Sequence, residues 1–237
     1  MHRVPLLVLA AAFVVPPPAA AADCAPADLQ TVVITRQDAA VPADGGILVV
    51  STAGGTRTPE KNAEAVRPTW KLRAGASSSA PKIDVYAPGL AVYRLGAVKG
   101  AAELLDDDGK AVVKVTPDPA KAAPLAAPNV KKIEYLATLS RRSWQRIEVT
   151  LDAAPPAGTY AIVIADAKGK GVSWSAVNAG STQQFPYTHS DCGVVPNGTS
   201  VPSPGETVSV FFVDGAGRRS AASKPLKLGG KLRPGSD

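Results

Sequence analysis

The stretch Leu151–Gly169, LDAAPPAGTYAIVIADAKG, decides the fold class. Within it, Tyr160–Ala165 (YAIVIA) is apolar on both faces. Pro156-Ala157-Gly158 leads into this run, and Asp166-Ala167-Lys168-Gly169 closes it. A short apolar run between turn residues reads as a central strand. In the closing turn Asp can cap the loop with its carboxylate, and Gly can take the positive φ the loop demands. Just upstream, Ile147-Glu148-Val149-Thr150-Leu151 alternates apolar and polar, the period of a half-buried strand.

The same grammar extends outward in both directions. Val208–Val213 (VSVFFV) is a second doubly apolar run. Leu29–Thr35, Gly46–Val50, Ile83–Tyr86, Leu90–Leu95, Ala111–Thr116, Val130–Ala137 and Val172–Val177 are further strand candidates. Asp106-Asp107-Asp108-Gly109 and Asp214-Gly215-Ala216-Gly217 repeat the Asp-x-x-Gly turn between strand-like runs. No window carries a 3.6-residue apolar stripe, and the one helical turn suggested by Asn62–Val66 is bracketed by Pro59 and Pro68. Gly (21) and Pro (22) among 237 residues make about 18%, against an average near 12%. Long helices are hard to build at that density. Hydrophobic residues make up 45%, 41 of them alanine, and aromatics only 5%. The expected fold is all-β.

Residues 1–22 read as a cleaved signal peptide. Arg3 supplies the positive charge, Val4–Val15 the apolar core, and Ala19–Ala22 the small residues at the cleavage site. Pro16-Pro17-Pro18 ends the apolar run short of the roughly 20 residues a membrane span needs. No later segment is long and apolar enough to span. Cys24 follows Asp23 and Ala21 rather than a lipobox, which argues against lipidation. The expected location is therefore outside the cytoplasm, periplasmic or secreted. Cys24 and Cys192 then sit in an oxidising compartment, and a single disulfide between them is the natural reading. The alternative is two thiols too far apart to meet.

Pro117–Pro128 (PDPAKAAPLAAP) has four prolines and no strand pattern, and reads as an extended linker. It divides the mature chain into units at 23–117 and 129–228, with 118–128 between them and a flexible tail at 229–237. Residues 51–82 read as a second irregular zone. Residues 23–127 carry 12 basic and 12 acidic side chains, and residues 128–237 carry 13 and 8. The second unit thus holds the whole positive excess.

Leu151, Pro156, Gly158 and Tyr160 resemble the strand-entry pattern of fibronectin type III and bacterial immunoglobulin-like modules. Glu206–Ser223 (ETVSVFFVDGAGRRSAAS) resembles the last hairpin of such modules. Val41–Val50 resembles their opening strand, and Ala102–Thr116 a later hairpin. The resemblance implies two tandem immunoglobulin-like or fibronectin-like β-sandwich domains, with Tyr160 as a tyrosine corner whose hydroxyl bonds back to nearby backbone. Modules of these families adhere, act as spacers, or bind sugars and proteins, mostly without catalysis.

Candidate chemistry is sparse. His189 is the sole histidine after residue 22, within Tyr187-Thr188-His189-Ser190-Asp191-Cys192, and no G-x-S-x-G accompanies it. Asp106-Asp107-Asp108-Gly109 fails as an EF-hand, because Val115 stands where the bidentate Glu belongs. Two Cys and one His cannot build a structural zinc site alone. No cofactor motif is present. Of Trp70, Trp144 and Trp174, Trp144 stands out because Arg141, Arg142 and Arg146 surround it. These four form the expected binding patch, with cation–π packing at a strand start as the structural alternative. Lys131, Lys132, Lys168, Lys170, Arg218 and Arg219 could extend it, or could simply guard strand edges. The expected partners are an anionic envelope polymer or another envelope protein, and not nucleic acid. The function expected is non-catalytic binding or scaffolding. The alternative is a secreted hydrolase or a protease inhibitor using the loop around Cys192.

Overall fold

A computed structural model describes residues 29–53, 69–120, 122–139, 144–190, 193–195 and 202–234. These residues form eighteen strands and no helix. They are arranged in four sheets. Sheet I runs β1 (Leu29–Val33), β3 (Ile47–Ala53), β7 (Leu90–Arg94), β6 (Lys82–Ala87). Sheet II runs β2 (Ala39–Pro42), β9 (Ala111–Asp118), β8 (Ala102–Leu105), β4 (Lys71–Ala74), β5 (Ser77–Ser79). Sheet III runs β13 (Gly171–Ala176), β12 (Thr159–Ala165), β16 (Thr207–Asp214), β17 (Leu226–Lys227). Sheet IV runs β15 (Gly193–Val195), β14 (Thr182–Ser190), β11 (Trp144–Leu151), β10 (Val130–Leu139), β18 (Gly229–Pro234).

Three apolar cores order these sheets. Ile47, Val49, Ala91 and Tyr93 of sheet I pack against Leu72, Leu104, Val113 and Val115 of sheet II. Ile162, Ile164, Val210 and Phe212 of sheet III pack against Ile133, Ile147, Val149 and Phe185 of sheet IV. The third core joins the two pairs. Leu48, Val50, Leu90 and Val92 of sheet I meet Ala161, Val163, Phe211 and Val213 of sheet III. The sheets therefore stack in the order II–I–III–IV.

This stack explains the doubly apolar runs. Successive side chains of a strand point to opposite faces. In β12, Ile162 and Ile164 face sheet IV while Ala161, Val163 and Ala165 face sheet I, and all five are fully buried. In β3 and β7 the same alternation splits the side chains between sheets II and III. A strand with water on one face would have shown alternation instead, as β9 does.

Four expectations are refined or corrected. First, residues 229–234 are not a flexible tail. They form β18 and pair in parallel with β10, Glu134 opposite Gly229 through Leu139 opposite Pro234. Second, the irregular zone at 51–82 contains β4 and β5, while 54–68 lies outside the described residues. Third, β14 was hidden by its polar sequence and by Pro186, which is opposite Arg146 in the ladder with β11. Fourth, the described residues of 119–129 carry no strand, but the segment is docked. Arg218 Nη1 donates to the Ala123 carbonyl at 2.7 Å, and Leu125 packs against the core between sheets III and IV.

Candidate functional site

The three Asp-x-x-Gly turns share one hydrogen-bond pattern. In each, the Asp N–H donates to the carbonyl four residues on, the Gly N–H donates back to the Asp carbonyl, and Asp Oδ1 accepts two backbone N–H groups. Gly109, Gly169 and Gly217 have φ of 76°, 78° and 68°, a region where a side chain would be strained. The turns at Asp106 and Asp166 are exposed tips. The turn at Asp214 is buried, with Asp214 6% exposed and its Oδ2 held by Arg218 Nε and Nη2 at 2.8 and 2.7 Å.

That third turn is a wedge between the sheet pairs. Its three successive carbonyls each accept a hydrogen bond from sheet I or the chain beside it. Thr35 Oγ1 donates to Gly215 O at 3.0 Å, Gly46 N to Ala216 O at 2.8 Å, and Tyr86 Oη to Gly217 O at 2.9 Å. Carbonyls at a hairpin tip normally face water, so burying them requires partners. Here all three partners come from the other sheet pair. Thr35 also accepts from Leu48 N at 2.8 Å, and Tyr86 Oη accepts from Arg94 Nη2 at 2.8 Å. Arg94 Nε in turn donates to Asp84 Oδ2 at 2.7 Å. The Arg94 hydrogen bond holds the Asp84 carboxyl below its ordinary pKa, and burial raises that of the Tyr86 phenol. On the far side of the junction Trp174 Nε1 donates to Pro88 O at 3.0 Å. Arg219 covers the Phe211 ring at 3.7 Å, and Tyr86 meets that ring edge-on at 6.1 Å.

Close approach at the junction depends on missing side chains. A Cβ on Gly171 would lie 1.7 Å from Tyr86 O, and one on Gly217 would lie 2.8 Å from both methyls of Val92. Beside the wedge is a cleft of about 640 Å³. Ala39 and Ala40 line one side, Gly158–Tyr160 and Gly215–Ala216 the other, with Arg36 the only charged residue among those that line it.

The expected patch is only partly within the described residues. Arg141 and Arg142 lie outside them. Trp144 opens β11, opposite Thr138 and Thr188 in the ladders. Arg146 is ion-paired on its own strand, Nη2 to Glu148 Oε1 at 2.7 Å, and Gln184 Nε2 also donates to that carboxylate. Lys132 pairs with Glu134 and Lys131 with Asp152. Arg218 and Arg219 serve the junction. Four basic side chains of this half are thus ion-paired, which leaves its net positive charge unchanged. Tyr160 is the second residue of β12, half-buried beside the third core, where burial raises its phenol pKa. Tyr86, which the sequence reading did not single out, donates its hydroxyl to the distant Gly217 carbonyl. Trp70 and Trp174 are both core residues. Trp70 packs on Tyr93 at 6.0 Å. Cys24 and Cys192 lie outside the described residues. His189 is in β14, opposite Val194. No group of three or more His, Cys, Asp or Glu side chains arranged to hold a metal occurs among the described residues.

No family model matches the chain, and no curated protein matches it. Among solved structures it is similar to a biofilm-associated protein BSP domain (12% identity, TM-score 0.29, 84% of this chain and 30% of that one). It is also similar to the FN1–FN3 domains of chicken CNTN1 (12%, 0.28, 88% and 67%). A titin tandem Ig pair is a third neighbour (11%, 0.21, 86% and 97%). The neighbours are thus immunoglobulin-like and fibronectin-like modules. The chain spans less than a third of the first of them. Likeness at these TM-scores says nothing of ligand or activity.

Proposed function

We propose that this is a non-catalytic exported protein that binds or scaffolds in a bacterial envelope or its surroundings. In this reading a leader at 1–22 is removed. Two sandwich units, 23–117 and 129–228, follow in tandem about the 118–128 segment. Cys24 and Cys192 form a disulfide that ties the start of the mature chain to the second unit.

The observation that carries the reading is the wedge at 214–217. It hydrogen-bonds one unit to the other through three consecutive carbonyls, beside a shared apolar core. Such a junction suits a stiff body that presents surfaces at fixed spacing. It does not suit a hinge that closes on a substrate, because parting the units would strand buried carbonyls. The surface around Trp144, Arg141, Arg142 and Arg146 is the preferred contact with an anionic envelope polymer or an envelope protein.

The test is co-sedimentation of the purified mature protein with its host's envelope fraction at low and high salt. Binding that fades with salt and with Arg141→Gln/Arg142→Gln is the expected result. Failure to sediment at either salt would overturn the envelope-binding reading.

A further inference from the structure

We propose that the cleft beside the wedge binds a small organic carboxylate with an apolar body, its carboxylate held by Arg36. The inference goes beyond envelope binding and does not depend on it.

The cleft's size, about 640 Å³, falls within the range of small-molecule sites, and it lies at a junction between packed units, where such sites concentrate. Its walls are fixed before any ligand arrives. Gly215 and Ala216 are held through their carbonyls by Thr35 and Gly46, and Gly215 N donates to Gly158 O across the cleft's own wall. A preformed wall spares a ligand the cost of ordering it.

The charge pattern selects the ligand. No Asp or Glu is among the lining residues, and Arg36 is the single ionised group. Arg36 is exposed and makes no ion pair among the described residues. The nearest acid in sequence, Asp38, does not line the cleft, and its Oδ1 accepts from Gln37 Nε2 at 3.4 Å. A guanidinium presents paired N–H donors that match a carboxylate. Ile34, Ala39, Ala40 and the Tyr160 ring supply apolar contact for the rest of the molecule. Burial raises the Tyr160 phenol pKa, so its hydroxyl stays a donor at neutral pH.

The probes are octanoate and phenylacetate, each compared with its neutral primary amide, titrated into the isotopically labelled mature protein and followed by amide chemical shifts. The expected result is saturable binding of at least one carboxylate, with shifts at Ala39, Ala40, Thr159, Tyr160 and Gly215. Its amide should bind at least about tenfold more weakly, the scale of one charge-assisted contact. Arg36→Gln, an exposed change whose fold is checked by its unchanged melting temperature, should erase that preference. Tyr160→Phe should weaken the carboxylate while keeping the preference. No saturation at millimolar probe, equal binding of acid and amide, an unaltered preference in Arg36→Gln, or shifts mapping elsewhere would each overturn the proposal. Co-sedimentation can succeed or fail independently of all of these.

Discussion

Gly171→Ala is the sharpest perturbation of the junction. Gly171 begins β13 at the edge of sheet III, where it abuts β6 of sheet I. A Cβ there would sit 1.7 Å from Tyr86 O, 2.9 Å from its carbonyl carbon and 3.0 Å from Val163 Cγ1. The first two neighbours are backbone, so no rotamer change relieves the clash. Restoring ordinary contact requires the two strands to part by about 1.5 Å or more. A gap of even 0.5–1 Å forfeits roughly a quarter to a half of the dispersion energy between facing atoms. The side chains nearest the opening, Tyr86, Ala87 and Trp174, are all buried in the third core. Full burial of a large apolar side chain is worth about 1.5–3 kcal/mol. Half of that, over two such residues and with loss of the Trp174–Pro88 hydrogen bond, gives about 3 kcal/mol, the upper end of overpacking costs. In a domain-pair of this size that is a fall of roughly 6–12 °C in melting temperature. The assay is urea denaturation followed by tryptophan fluorescence, with Gly215→Ala as the matched control. Nothing lies within 4 Å of a Cβ at Gly215, so the control should stay within about 0.5 kcal/mol of wild type. Equal midpoints for the two variants would refute the claim that the sheet pairs are locked at β13 and β6.

Other consequences follow from the same contacts. Tyr86→Phe removes the donor to Gly217 O and an acceptor of Arg94, and should cost about 1–3 kcal/mol in chemical denaturation. Asp214→Ala should destabilise clearly more than Asp166→Ala, though both carboxylates cap the same turn. Only Asp214 is buried and tied to Arg218, and denaturation midpoints of the two variants would show the ordering. Asp84 has a folded pKa below its unfolded value near 3.8. Its contribution is therefore present above that value and is lost as pH falls through the folded pKa. Asp84→Asn should flatten that part of the acid limb of a stability–pH curve. Burial pushes Tyr93 up to about 12 from 10.0. The stability tied to its neutral form is complete below pH 10 and is lost as pH rises toward 12. Tyr93→Phe should reduce that alkaline loss in the same measurement.

Much of the strand content was legible because it is local. Period-two alternation in Ile147–Leu151, apolar runs such as Tyr160–Ala165 and Val208–Val213, and the Asp-x-x-Gly turns all became strands or hairpin tips where expected. What was missed had weak local signals. β5 is three serines, β14 is polar and interrupted by Pro186, and β18 begins with two glycines. Such segments are strands because a partner offers an open ladder, as β10 does for β18. β-propensity expresses fit to a neighbouring surface more than any preference of the backbone.

The candidate sites divide the same way. The sequence by itself determined that Asp106, Asp166 and Asp214 cap equivalent turns, because the carboxylate, the positive-φ glycine and their spacing are covalent neighbours. It also determined that β12 and β16 would be buried on both faces, since their runs are apolar at successive positions. Only the tertiary structure decided what covers the second face, and that one of three like turns became the wedge. Thr35, Gly46 and Tyr86 lie more than 125 residues from the carbonyls they bond. Nothing in the sequence near Gly215 specifies partners so distant. Placement of Arg36 and Tyr160 around one cleft rests on the same physics. Charge and hydroxyl chemistry are written locally, but their function depends on which groups the packed sheets bring within reach.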